Sequence, residues 1–381
     1  GLERTDERVA WILRLGAFNL LREEGLASSI AVDVAVRLAR ECGRSGLAGL
    51  VNAVLRRLAV RHAEGALALP DPLADPVGHL AVATALPRWL ARKWLEELGP
   101  VEALQLGLGL NRPPPLTVRV QPPATVEEMR TWLASQGIVS RPASRAPDAL
   151  VLGSPGSLAE LEAASAGRLF VQDEAAILVG HLVAPGPASV VLDACAAPGG
   201  KAAHLRGLVG EDGEVHARDT GEGRIRLLQA VASRVDLLVA ARDLLDPPRP
   251  EDIDRFDAVL LDAPCSNLGT LRRHPEAKAR LEEGIVERSA ELQRLMIAAA
   301  APLVQPGGLL VFSVCSIAPE EGWGVVDRFL ATGAGKAFFP EHPPQEALFA
   351  GLLDCRGALQ TLPHRDDMDG FFALRLRRET R

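Results

Sequence analysis

The chain has little of several things. Its five cysteines are widely spaced over 381 residues and form no Cys-x-x-Cys pair, which excludes a disulfide framework and a cysteine zinc site. Any cysteine with a role therefore acts as a reduced thiol. No apolar run is long enough to cross a bilayer, and no charged start leads into a signal-type cleavage site. The expected setting is the cytoplasm, with no membrane partner. Lysine is scarce, at Lys93, Lys201, Lys278 and Lys336 only. The basic side is thus nearly all arginine, which suits phosphate recognition, although a GC-rich genome produces the same bias. A formal net charge of −7 argues against a nucleic-acid partner when taken as a sum, so a local basic patch matters more.

What is present is an ordinary globular composition, 48% hydrophobic and 24% charged, at a length that calls for two or three domains. Residues 1–70 read as an all-helical module. Val9, Ile12, Leu13, Leu15 and Gly16, then Ile30, Val34 and Leu38, then Leu50, Val51, Val54 and Leu55 recur at helix-face spacing. Arg56 and Arg57 are candidates for RNA phosphate, against the plainer reading of a basic helix end that complements the dipole. Leu69 to Pro76 is a proline-punctuated linker. Residues 77–167 return to helix, with Trp89, Leu90, Trp94, Leu95 and Leu98 as a stripe expected in the core. A small α+β unit follows, with strands at 116–120 and near 149–152 and 169–171 and a helix from about 126 to 136. Residues 168–381 alternate helix with apolar runs at 189–193, 215–219, 236–240, 256–262 and 308–313, and 371–376 adds a closing strand. That pattern specifies a mostly parallel, doubly wound α/β sheet.

In such sheets ligands bind beyond the carboxyl ends of the strands. The first run ends in Asp193 and enters Cys195-Ala196-Ala197-Pro198-Gly199-Gly200-Lys201, a loop whose glycines let backbone approach a ligand. Its spacing is neither that of a dinucleotide fingerprint nor that of a Walker loop. Asp219, Asp243 and Asp262 end or follow the next strands. Any one of them can cap a turn, but together they suit a cationic, phosphate-free ligand such as S-adenosyl-L-methionine.

Cys265 stands three residues past Asp262, and Cys315 just past the fifth strand. Two thiols over one pocket suit pyrimidine chemistry: one adds to carbon 6 and activates carbon 5, and a second group handles the departing proton. Asp262 is placed to hydrogen-bond the pyrimidine edge. Buried cysteines are also common small hydrophobes, which is the reading adopted for Cys42 and Cys355. Arg272, Arg273 and His274 form a basic loop fit for a phosphate backbone, or else a solvated turn.

Asp-Ala-Cys-Ala-Ala-Pro-Gly-Gly-Lys201, Asp262-Ala-Pro-Cys-Ser-x-Leu-Gly-x-x-Arg-Arg-His-Pro275 and Ser313-x-Cys-Ser-Ile-x-Pro-Glu-Glu321 resemble the motifs of RNA 5-methylcytosine methyltransferases. The RsmB/Sun (Fmu) branch, which acts on small-subunit ribosomal RNA, is the most similar. Gly49 to Arg57, Val171 to Ala176 and Asp369 to Phe372 are similar to further family segments. The resemblance implies a NusB-like helical domain, a small α+β subdomain and a Rossmann-like, seven-stranded S-adenosyl-L-methionine-dependent catalytic domain. It implies cofactor binding by Cys195 to Lys201, Asp219, Asp243 and Asp262, with Cys315 as nucleophile and Cys265 assisting release. No metal is expected, and the chain is expected to act as a monomer. Transfer RNA is the alternative substrate, and a non-catalytic NusB-like RNA binder the alternative from another class. Val314 and Ala202 replace usual threonines, Asn267 replaces a usual glycine, and extra helix is expected before Gly1.

Overall fold

A computed structural model describes residues 5–23, 25–154 and 156–380, so the expected truncation at Gly1 falls outside the described residues. The chain divides into two compact units, Gly1–His79 and Leu80–Arg381.

The first unit contains α1 (Glu7–Arg22), α2 (Ser28–Glu41) and α3 (Ala48–Ala63). The Asp6 side chain accepts hydrogen bonds from the Arg8 and Val9 amides and so caps α1. Val9, Ile12, Leu13, Val32, Ala35, Val51 and Leu55 form its core. Gly16 is required where α1 meets α3: a Cβ there would lie 2.5 Å from Leu55 Cδ1. Leu15, Ile30, Val34, Leu50 and Val54 remain exposed, so the apolar pattern is wider than the core it fills.

After α4 (Pro76–Thr84) comes α5 (Arg88–Gly109), which is kinked at Gly99 with Pro100 following. Leu90 and Trp94 are buried, Leu98 is exposed, and Trp89 Nε1 donates to the Leu281 carbonyl. The small α+β unit comprises β1 (Leu116–Val120), α6 (Val126–Ser135), β2 (Ser140–Pro142), β3 (Ala149–Leu152), α7 (Leu158–Ala164) and β4 (Leu169–Val171). Its strands form an antiparallel sheet in the order β2-β3-β1-β4. A reciprocal Thr125–Glu128 capping box starts α6.

The large sheet is built from β5 (Val190–Asp193), α9 (Gly200–Val209), β6 (Glu214–Asp219), α10 (Glu222–Ala232), β7 (Leu238–Ala241), β8 (Phe256–Asp262), α11 (Ile285–Ala300), β9 (Val304–Val314), α12 (Trp323–Leu330), β10 (Phe338–Pro340), β11 (Leu359–Thr361), α13 (Pro363–Asp366) and β12 (Phe371–Arg378), with α8 (Glu174–Val183) preceding it. The strand order is β10-β12-β9-β8-β5-β6-β7, with β11 paired to β12. The sheet thus has eight strands rather than seven. Strands β9, β8, β5, β6 and β7 run parallel, and β12 returns antiparallel along β9. Alternate residues face opposite layers, Ala258 and Leu260 toward α8 and α9, Val259 and Leu261 toward α11 and α12. Each such fully buried Val, Leu or Phe contributes about 1.5–3 kcal/mol. The chain reverses direction across the sheet between β5 and β8, the position where open α/β sheets place their ligand crevice.

Candidate active site

The β5–α9 loop is fixed from both neighbouring strands. The Ala194 amide donates to the Leu260 carbonyl, the Ala196 amide to the Arg218 carbonyl, and the Ala197 amide to Asp219 Oδ2 at 2.9 Å. Gly199 has φ +114°, and a Cβ there would sit 2.9 Å from Val231 Cγ2, so conformation and space both demand glycine. Cys195, Asp219 and Asp243 line one cleft together with Ala194, Thr220 and Leu244. Asp243 Oδ1 accepts from the Leu245 amide, which aims the exposed carboxylate. Ala196 through Gly200 shape the turn but do not line that cleft.

Lys201 and Asp262 do not line that cleft either and pair with each other. Lys201 Nζ donates to Asp262 Oδ2 at 2.7 Å, and Ser313 Oγ to Asp262 Oδ1 at 2.6 Å. Both carboxylate oxygens of Asp262 are therefore held by the protein. The Lys201 ammonium also lies 5.0 Å from the centre of the Phe371 ring.

Cys265 and Cys315 converge because β8 and β9 are paired, Asp262 opposite Ser313. Their sulfurs are 3.3 Å apart and both residues are half-buried. Asn267 Oδ1 lies 3.1 Å from Cys315 Sγ and 3.7 Å from Cys265 Sγ. Asn267 has φ +57°, a left-handed conformation that glycine or asparagine adopts readily, which accounts for asparagine where glycine is usual. Cys265 is raised well above the ordinary thiol range by its hydrogen bond with Cys315, by burial, and by the charges of Cys315 and Glu321. Cys195 is likewise pushed up, by burial and by Asp193, Asp219 and Asp262. Lys201 is held above its usual value by Asp262 and, further off, by Cys315, despite burial.

Arg272 and Arg273 require a correction. They do not form a free basic loop. The Arg272 side chain is 1% exposed, its Nε donating to Asp369 Oδ1 and its terminal nitrogens to Asp367, with Asp173 3.6 Å away. Arg273 donates to Asp369 Oδ2 and Asp173 Oδ2, each at 2.5 Å. The pair fastens the Cys265 loop to the Asp369–Phe372 segment and to the cap of α8. His274 stays exposed, 3.5 Å from Glu276. Arg56 and Arg57 are exposed on α3, Arg56 donating to Asn52 Oδ1.

The sequence marks Asp193 as a strand end and assigns it no role. It is 1% exposed, neither carboxylate oxygen has a hydrogen-bond partner of normal geometry, and burial followed by the charge of Asp262 pushes it up to about 8. Lys201 and the Cys195 backbone pull the other way, and Asp219 adds to the rise. The raised value has a consequence for stability. The folded protein keeps a proton that the unfolded chain releases near the ordinary value of 3.8, so stability falls as pH rises from about 4 to about 8. Asp193→Asn should flatten that slope, by up to about 1.4 kcal/mol per pH unit, in urea melts run across the window. An unchanged slope would refute the assignment.

Among the described residues, Asp148, His181 and His204 bring three possible metal-ligand atoms within 4.8 Å of one another. His181 Nε2 is 2.7 Å and His204 Nε2 3.1 Å from the Asp148 carboxylate. The Arg119 cation acts on both Asp148 and His204, a charge that opposes a dication there.

The catalytic half matches the family described as 16S rRNA methyltransferase RsmB/F over residues 181–377. Residues 1–60 match the NusB family, and residues 86–159 an RsmF/B-like ferredoxin-like domain. A Bacillus subtilis (strain 168) relative described as "Probable ribosomal RNA small subunit methyltransferase B" is 33% identical, covering 97% of this chain and 83% of its own length. A Thermus thermophilus relative described as "Ribosomal RNA small subunit methyltransferase B" is 35% identical, covering 97% and 80%. The crystal structure of PH0851 superposes with TM-score 0.82 at 26% identity, covering 98% of this chain and 83% of that one. The chain belongs to the RsmB/F family of small-subunit ribosomal RNA methyltransferases.

Proposed function

We propose that the protein methylates carbon 5 of a cytosine in small-subunit ribosomal RNA, through a covalent bond between Cys315 and carbon 6 of the base. The observation that carries this reading is the pair of half-buried sulfurs 3.3 Å apart at the ends of adjacent strands. A methyltransferase acting on an oxygen or an exocyclic nitrogen has no use for two facing thiols.

S-adenosyl-L-methionine is the methyl donor, and when bound it supplies an electrophilic methyl group beside the base. Asp219 and Asp243 line the cleft that would hold its ribose and adenine. Cys315, in the segment Ser313-x-Cys-Ser that resembles the family's nucleophile motif, is the sulfur that adds to carbon 6, and Cys265, 3.3 Å away, is the thiol that carries the proton. Lys201, half-buried and paired to Asp262, supplies positive charge near the Cys315 sulfur. Carbon 5, now enamine-like, takes the methyl group. The adduct collapses as Cys265 passes its proton to the departing Cys315 sulfur and accepts the carbon 5 proton in exchange. Loss of one proton to solvent restores the pair.

Ribosomal rather than transfer RNA is favoured because the curated relatives carry that substrate in their names. Of the basic residues singled out in the sequence, Arg56, Arg57 and His274 are exposed and available to phosphate. Bisulfite sequencing of ribosomal RNA from cells with and without the gene tests the whole reading. One or more small-subunit cytosines should lose protection only in the deletion. An unchanged pattern would refute it.

A further inference from the structure

Behind the thiol pair lies a carboxylate with no part in the proton transfers above. Glu321 is 0% exposed. Its Oε1 accepts from the Ser266 amide and from Gln293 Nε2, each at 2.9 Å. Its Oε2 accepts from Ser316 Oγ at 2.5 Å and also from Ser266 Oγ. The two serine hydroxyls are 3.1 Å from one another. Gln293, on α11, donates as well to the Pro264 carbonyl at 3.0 Å. Ser266 follows Cys265 and Ser316 follows Cys315. In each Cys-Ser pair the cysteine is half-buried in the site and the serine is buried behind it, so one carboxylate collects a ligand from each loop.

We propose that Glu321 is a positioning residue that locks the two cysteine loops to each other, holding Cys265 against Cys315 in the register that release of the methylated base requires. This rests on the covalent reading above. A buried carboxylate is costly unless its lone pairs are filled, and four donors from three segments fill them. Loop register, carboxylate and hydroxyls are therefore interdependent. The groups acting on Cys265 are the Cys315 thiol and the Glu321 carboxylate, with Asn267 contributing a neutral amide, and Lys201 acts on Cys315 from the other side. Removing the negative charge behind Cys265 makes its thiol easier to ionise, an effect that simple loosening of a loop does not produce.

Glu321→Gln tests this in two ways. In a Cys315→Ser background, without RNA or cofactor, iodoacetamide labelling of the Cys265 peptide is followed against pH. The midpoint should fall by about one pH unit on adding Glu321→Gln. With both cysteines present, Glu321→Gln should lengthen the life of the RNA–protein adduct about tenfold to a hundredfold, because a small misplacement of reacting groups costs that much. An unmoved midpoint together with an unchanged adduct lifetime would overturn the proposal. If Glu321→Gln does not fold, the double variant Ser266→Ala, Ser316→Ala removes two of the four donors and keeps the charge. It too should prolong the adduct, and an unchanged lifetime would overturn the proposal. A lowered midpoint with no adduct even in Cys265→Ala would uphold the hold of Glu321 on the thiol and overturn the covalent reading.

Discussion

Cys315→Ala should abolish methyl transfer, lowering turnover by the order of 10⁴-fold or more, the scale seen when an essential nucleophile is deleted. Carbon 5 of a pyrimidine is too weak a nucleophile to take a methyl group without prior addition at carbon 6. No other thiol can replace Cys315. Cys265 sits on the other loop, 3.3 Å from the Cys315 sulfur rather than in its place, and Cys195 is pushed up by burial and by three aspartates. The fold should survive the change, since Val314 and Ser316 on either side are fully buried and supply the local packing. Incorporation of a radiolabelled methyl group into ribosomal RNA is the measurement, with cofactor binding by calorimetry as the control. Residual turnover near wild type would contradict the assignment.

Cys265→Ala should do the opposite to the bound RNA. Addition at carbon 6 and methyl transfer need Cys315, so they proceed. On the proposed mechanism collapse needs a proton exchange with Cys265, whose sulfur lies 3.3 Å away, so the adduct should persist. Steady-state turnover should drop about 10²- to 10⁴-fold, the usual contribution of a positioned acid–base group. A protein band shifted by bound RNA on a denaturing gel should appear, and it should be absent in the double variant Cys265→Ala, Cys315→Ala. Free turnover without any shifted band would refute the release role.

The parts legible in the sequence were those with strong local signals. The buried parallel strands read as apolar runs bounded by acidic residues, and Leu116–Val120 has in the structure the bounds the sequence indicated. The meeting of Cys265 and Cys315 was legible because strands that follow one another in a doubly wound sheet are often neighbours. Other features lacked a local signal. Helix α8 is buried along nearly its whole length, so it shows no polar face and no period. Strands β2, β10 and β11 have three residues each, too few to alternate visibly. Arg272 and Arg273 read as a surface patch because charge is visible in sequence while a partner almost a hundred residues away, Asp369, is not. Asp193 and Glu321 carry meaning only through burial, which depends on tertiary packing that no local pattern records.

Peptide mapping of the RNA-bound Cys265→Ala protein is the most direct test of the central claim. After nuclease and protease digestion, mass spectrometry should find a methylated cytidine nucleotide attached to the peptide that contains Cys315. Attachment to any other residue, or a preparation that never carries nucleotide, would contradict it.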